Sequence, residues 1–386
     1  MIEKEMEYRG SKSGFISKSV KEQRVDGSWQ FFNNKNCLRC TLMGIERYYQ
    51  VKNLSKQINA LRTYKSATHM PNIVKTLNTN PWFVTGFTDA EGSFSVLIQH
   101  NSAYRLNWRI KVIFAIGLHN KDIELLQKIQ SYFGVGKLHK HGENSTQYRV
   151  ESVKDMQVII DHFDEYPLIS RKKVNYVLFK KALSLIELKH HINELDLLKL
   201  VAIKSHLNLG LNRELKQAFP EWSKYQITKP EYVFTGIPDP NWVAGFASGD
   251  GSFSIKVSNN STTTIGNRIQ LRFAIGLSII EKELIISLAN CFKSDRNSSV
   301  EDINKSGKMP YVYYRKDSVN LEIVRFSDVY NIIIPFFSKY PIEGIKNLDF
   351  FDFITVANMI TNKEHLTSQG FDKVMRIKSL MNKNRI

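Results

Sequence analysis

From residue 81 onward the chain falls into segments with distinct hydrophobic periods. "PWFVTGFTDAE", residues 81 to 91, is largely apolar and follows Asn80, so a capping side chain stands just before a proline at the first helical position. That pattern predicts a short helix closing at Gly92. The period then drops to two, with Phe94, Val96 and Ile98 on one face and Ser93, Ser95, Leu97 and Gln99 on the other. A second alternating run points Trp108, Ile110, Val112, Phe114 and Ile116 inward and Asn107, Arg109 and Lys111 outward. Half-buried antiparallel strands alternate in this way, and here the outward face is cationic. Helical stretches such as "KDIELLQKIQSYF" and "VNYVLFKKALSLIELKHHI" follow and are expected to pack behind the sheet as an α+β unit.

The unit occurs twice. A constant offset of 159 carries Pro81 onto Pro240, Gly86 onto Gly245, Glu91 onto Asp250 and Gly92 onto Gly251, and "FAIGL" at 114 onto "FAIGL" at 273. In the second copy Phe253, Ile255 and Val257 oppose Ser252, Ser254, Lys256 and Ser258. Ile269, Leu271, Phe273 and Ile275 likewise oppose Arg268, Gln270 and Arg272. Further on, Tyr166-Pro167 matches Tyr340-Pro341 at offset 174, which places a polar insertion near 296 to 310. A period this long is a domain duplication and not a solenoid. The expected class is α+β, a tandem pseudo-twofold repeat with each half a helix-capped antiparallel sheet. Repeats are expected at 81–214 and 240–386, joined by a polar, Pro-containing linker at 215–239. Residues 1–80 form a Ser- and Asn-rich extension of weak periodicity, expected to be loosely attached.

Charge narrows the partner. The 386 residues carry 54 Lys plus Arg against 37 Asp plus Glu, a net charge of +17, of which the extension holds 14 basic against 6 acidic residues. Such a surplus favours polyanions, nucleic acid before an anionic membrane surface. No apolar run approaches the roughly 18 residues that span a bilayer, so the chain is expected to be soluble. Three cysteines are too few for a disulfide framework, which points to a reducing compartment. Cys37 and Cys40 have zinc-like spacing, but no second pair follows; His190 and His191 have no spaced ligand partner and read as helix surface.

The chemistry should sit where the two copies meet. Small residues and glycines in "VTGFTDAEG" and "VAGFASGDG" allow two helices to cross with their backbones in contact, and a pseudo-twofold axis between them brings Glu91 and Asp250 to one point. Like charges near two negative helix ends repel, and a divalent cation relieves that repulsion. Oxygen ligands suit Mg²⁺, with Mn²⁺ as substitute, and paired acids beside a cationic sheet suit phosphodiester hydrolysis. Asp89, whose counterpart is Ser248, reads as structural. On the outward faces Ser95, Gln99, Arg109, Lys111, Ser254, Lys256, Arg268, Gln270 and Arg272 are candidates for base readout. Lys137, Lys140 and Arg315, with His139, His141, Tyr313, Tyr314 and Lys316 around them, look like hairpin tips reaching flanking phosphates.

Val84 to Gly92 and Val243 to Gly251 resemble the two helices of a single-chain LAGLIDADG homing endonuclease, and the resemblance covers about 81 to 386. It is similar to the group encoded in introns of fungal mitochondrial genes, with "MEYRGSKS", "VKEQRVDGSW" and "LRCTLMG" like their leader segments. The resemblance implies a monomeric saddle straddling the major groove of double-stranded DNA, cutting both strands of an asymmetric site with Mg²⁺ in the mitochondrion. Glu91 and Asp250 match the family's metal-binding acids, and Ala90 and Gly249 match positions whose backbone carbonyls also ligate. Where relatives carry a polar side chain on the second strand, this chain has Ala115 and Ala274, which bears on turnover. Lys154 and Arg325 are candidates for a basic residue near the scissile phosphates, as phosphate contacts. Two other readings stay open at this stage: an intron RNA-binding maturase on the same scaffold, and a DNA-binding relic without activity.

Overall fold

The computed structural model describes residues 79–187, 193–225, 227–261, 265–292 and 311–385. The first half runs α1 (Pro81–Glu91), β1 (Gly92–His100), β2 (Trp108–His119), α2 (Ile123–Phe133), β3 (Lys137–His141), β4 (Ser145–Val150), α3 (Val153–Glu165), α4 (Lys172–Glu187), α5 (Glu194–Ser205) and α6 (Arg213–Ala218). The second repeats it as α7 (Pro240–Asp250), β5 (Gly251–Asn259), β6 (Asn267–Ser278), α8 (Lys282–Cys291), β7 (Val312–Tyr314), β8 (Ser318–Ile323), α9 (Ile334–Lys339), α10 (Lys346–Thr361) and α11 (Ser368–Leu380). Each half holds one four-stranded antiparallel sheet, ordered β1-β2-β4-β3 and β5-β6-β8-β7. The α+β tandem repeat read from the alternation is the fold.

Along β1 the alternation is matched by burial, whereas at the centres of β2 and β6 residues of both faces are buried, Val112–Ile116 and Leu271–Ile275. Phe94, Val96 and Ile98 are buried, while Ser93, Ser95, Leu97 and Gln99 between them stay half-exposed. Phe94 lies in an aromatic cluster with Phe114, Phe163, Tyr176 and Phe179 at centroid distances of 5.2 to 5.5 Å. Phe253 sits likewise among Phe273, Phe337, Phe350 and Phe353, at 5.0 to 5.5 Å. These are the same positions at offsets 159 and 174, so duplication copied the core with the strands. Rings this large dominate core energetics, and edge-to-face geometry adds to their area term. The copying persists to the end of each half: Asn208 and Asn382, both in left-handed backbone (φ 49 and 59), donate their side-chain amides to the carbonyls of Phe94 and Phe253 at 2.9 and 3.1 Å.

Both helix starts follow the capping pattern. Asn80 accepts from Trp82 N–H at 2.9 Å and Asp239 from Asn241 N–H at 2.7 Å. The closing glycines act differently from the left-handed cap expected of them: Gly92 and Gly251 have φ of −76 and −72. A Cβ there would lie 2.4 Å from Thr88 Cγ2 and 2.5 Å from the Ala247 carbonyl. Glycine is needed because the helix turns straight into a strand that crosses its last turn, a matter of close approach and not of handedness.

The halves part where Pro335 stands at the position matching Asp161. Without an N–H to give, proline cannot close a regular turn, and Val329–Ile333 widens to a π-turn in which Ile334 N–H reaches Val329 O. In the stretch expected to be linker, Leu215 is buried in the first core and Ile237 in the second, so its two ends are packed into the halves they join. Cys291 is free and buried. Cys37 and Cys40, the 1–78 part of the extension, His190 and His191, and the 296–310 insertion lie outside the described residues. Among the described residues no helix is long and apolar enough to cross a membrane.

Candidate nucleic-acid interface and catalytic centre

The two halves join through α1 and α7. A Cβ on Gly86 would sit 2.0 Å from the Trp242 carbonyl oxygen, and one on Gly245 would sit 2.1 Å from that of Phe83. Backbone thus touches backbone, as the small-residue spacing predicted. The cores interlock across the crossing, with Ala90 packed in the second core and Ala244 in the first. Asp89 is 2% exposed and fully engaged: it accepts from Ile169 N–H (3.0 Å), Ser170 N–H and Oγ (3.2 and 2.5 Å), and the Trp242 indole of the other half (2.9 Å). Burial raises its pKa against those bonds. Ser248 takes the matching place, accepting Glu343 N–H at 3.0 Å. Asp89 is a structural residue, as read from its unmatched counterpart.

Glu91 and Asp250 are half-exposed at the ends of the crossed helices. A Cβ on Gly249 would lie 2.4 Å from Ala90 Cβ and 3.0 Å from Glu91 Cγ, so the two termini abut. Against each terminus stands a lysine from the first turn of the helix behind it. Lys172 donates to the carbonyls of Thr88 (3.2 Å) and Ala90 (2.8 Å); Lys346 donates to those of Ala247 (3.3 Å) and Gly249 (2.5 Å). A cation at a helix C-terminus satisfies orphan carbonyls and complements the dipole. Burial pulls the Lys172 ammonium below its ordinary range, while the carboxylates of Asp250 and Glu91 oppose that shift. Acids of both halves thus act on one lysine.

These lysines were missed in the sequence. The offset of 174 that pairs Tyr166-Pro167 with Tyr340-Pro341 also pairs Lys172 with Lys346, and following it five residues further would have found them. Lys154 and Arg325, expected near the scissile phosphates, occupy exposed positions at the first turn of α3 and just after β8. Ala90 and Gly249 do present their carbonyls at the centre, but to ammonium groups. Among the described residues no group of three or more His, Cys, Asp or Glu gathers as a metal site. The donors are two carboxylates and backbone carbonyls, a hard all-oxygen set that fits Mg²⁺ or Ca²⁺ with phosphate and water completing the shell.

The open sheet faces carry the outward residues. Register places Gln99 beside Arg109, Leu97 beside Lys111, and Ser93 beside Ala115, Arg149 and Lys137 in one row. In the second half Ser258 lies beside Arg268, Lys256 beside Gln270, Ser254 beside Arg272, and Ala274 beside Glu322. Arg315 closes the β7-β8 hairpin, its N–H donating to Ser318 O. Three of the expected contacts have a setting that local alternation does not give. Lys140 pairs with Thr146 on the opposite face from Lys137 and His139, because residues alternate sides. Lys111 is tied to Glu151, which Arg149 also holds at 3.2 Å. Arg272 is 7% exposed and grips Glu322 with two guanidinium nitrogens, Nε at 2.9 Å and Nη2 closer. Burial outweighs that guanidinium and leaves the Glu322 carboxyl above its ordinary range. The polar groups bordering Ala115 and Ala274 are therefore supplied by the next strand, as Arg149 and Glu322.

The family model described as LAGLIDADG endonuclease matches residues 84–183 and 243–357, one region in each half. The chain is 35% identical to "Probable intron-encoded endonuclease 3" of Neurospora crassa, over 97% of this chain and 69% of that protein. It is 53% identical to the LAGLIDADG meganuclease I-CpaMI, solved bound to uncleaved DNA, with TM-score 0.72, covering 79% of this chain and 99% of that one. It is 36% identical to I-SmaMI, solved on an uncleaved DNA target in the presence of calcium ions, with TM-score 0.70 over 79% of this chain and 99% of that one.

Proposed function

The chain belongs to the LAGLIDADG endonuclease family, and from that premise we propose that it is a homing endonuclease. It hydrolyses both strands of a long, asymmetric double-stranded DNA site, as a monomer, with Mg²⁺ or Mn²⁺, in the mitochondrion. The observation that carries this reading is the meeting of Glu91 and Asp250 at crossed helix ends beneath two open, basic sheet faces. An asymmetric target follows from faces that carry different residues in the two halves.

Glu91 and Asp250, with the carbonyls of Ala90 and Gly249, would hold the cation, which when bound neutralises phosphate charge and acidifies water. Lys172 and Lys346 set positive charge beside the acids at the two helix ends, where it would stabilise the negative charge that develops on the scissile phosphates. Arg109 and Arg268 suit guanine, Gln99 and Gln270 suit adenine, and Ser95, Ser254 and Lys256 complete the reading faces. Lys111 and Arg272, held by Glu151 and Glu322, act as oriented donors and not as mobile charges. Lys137, Lys154, Arg315 and Arg325 contact flanking phosphates, where they add affinity without sequence information.

The test is incubation with Mg²⁺ of a DNA library spanning intron-free host-gene junctions. Double-strand breaks at one junction support the reading. No cutting anywhere, together with accelerated splicing of the parent intron RNA, would replace it with the maturase function.

A further inference from the structure

Behind the helix-end acids, each half reaches across to the other with a carboxylate. Asp122 closes the 3₁₀ turn Asn120–Asp122 after β2, and its Oδ1 accepts from Ile345 N–H at 2.6 Å. Glu281 closes the matching turn Ile279–Glu281 after β6, and its Oε1 accepts from Arg171 N–H at 3.0 Å. The offset of 159 carries Asp122 onto Glu281, and the offset of 174 carries Arg171 onto Ile345. These are therefore one contact made twice. Ile345 and Arg171 immediately precede Lys346 and Lys172, the lysines seated on the helix-end carbonyls.

Both contacts are built around their acid. Gly344 is left-handed (φ 73), and a Cβ on it would lie 2.5 Å from Asp122 Oδ1, so the loop closes over the carboxylate only as glycine. Arg171 is fixed by its Nε on the Ile280 carbonyl at 2.9 Å and by its guanidinium 4.6 Å over the Tyr232 ring. Glu281 is 7% exposed, whereas ordinary surface acids stand in water. A buried carboxylate taken from one half to hold one backbone N–H of the other is costly unless that N–H must stay put.

We propose that Asp122 and Glu281 are positioning residues, each setting the site lysine of the opposite half against its helix end, so that each strand is cut only when the two halves are docked. The inference rests on the endonuclease reading above. Duplex backbones are themselves related by twofold symmetry, so each lysine faces one strand. Glu281 governs the cut served by Lys172, and Asp122 the cut served by Lys346. The acids act through a main-chain hydrogen bond and touch no substrate.

The experiment follows supercoiled plasmid carrying the target, with Mg²⁺, through nicked to linear form. Asp122→Ala and Glu281→Ala are each expected to slow one cut about 10- to 100-fold, the penalty of misplacing a catalytic group by about 1 Å. Nicked circles then accumulate, end-labelling finds opposite strands nicked by the two variants, and DNA affinity stays at the wild-type value. Asp122→Asn and Glu281→Gln keep an oxygen acceptor and recover most of the lost rate. If an alanine variant fails to fold, Asp122→Glu and Glu281→Asp move the acceptor by one methylene and should show the same strand bias. Equal slowing of both strands, nicking of the same strand by both variants, or amides as slow as alanines would overturn the proposal. Failure of the wild type to cut would instead fall on the endonuclease reading.

Discussion

On its open face the first half gathers Lys111, Arg149 and Glu151 into a part-exposed cluster, whereas the second sets Arg272 against Glu322 in a pair with side chains 8% and 2% exposed. Beneath these faces the halves agree position by position: acid with acid, lysine with lysine, each lysine on the carbonyls of its own helix end. Duplication supplied two matching sets of chemical groups to one centre, and divergence was spent on the surfaces. A double cut needs the same chemistry twice, while a long asymmetric target needs two different readers.

The sharpest test of that contrast is charge removal on each face. Arg272→Ala leaves Glu322 buried without its guanidinium, and we expect a loss of about 3–5 kcal/mol in urea unfolding. Lys111→Ala should cost only about 0.5 kcal/mol, since its partner stays hydrated and keeps Arg149. Equal losses would erase the distinction between the faces. The shared crossing is probed by Gly86→Ala and Gly245→Ala. Each drives a methyl into backbone of the other half, and each should lower stability by about 3 kcal/mol, the upper end for overpacking.

Readout comes next in size. Arg109→Ala and Arg268→Ala should each weaken binding by about 1–3 kcal/mol and relax base preference in one half-site only, as measured on randomised targets. The last effect is a pH dependence contributed by Glu281. Burial pushes the Glu281 carboxyl up to about 7, from an ordinary 4.5, so the folded state holds a proton that the unfolded chain has released. Stability therefore falls as pH rises from about 4.5 to about 7 and levels off above it. Glu281→Gln removes that fall, and its stability should overtake the wild type by about 1–2 kcal/mol across that window in thermal melts.

How much was legible depended on whether the deciding partner was local. The period change at Gly92 and the buried triplet Phe94, Val96 and Ile98 are set by neighbours in sequence, and the paired acids by the constant offset of 159, so these could be read directly. Arg272 could not, because Glu322 lies 50 residues downstream on a strand whose register no local pattern gives. Lys140 stands in a basic cluster that hides its own alternation; only the pairing with Thr146 sets it on the opposite face from Lys137. Lys172 and Lys346 look like ordinary charges at helix starts. Their meaning lies in the duplicated offset, which binds them to the same helix ends as the acids.

The central claim is that Glu91 and Asp250 form one metal-dependent cutting centre. The most direct measurement is Mg²⁺-started cleavage of the target by wild type, Glu91→Gln and Asp250→Asn at equal DNA occupancy, with EDTA as the zero. The account predicts complete linearisation by wild type, none in EDTA, and a loss of roughly a thousandfold in double-strand cutting for either variant, about 4 kcal/mol of barrier. Wild-type rates in either variant would contradict it.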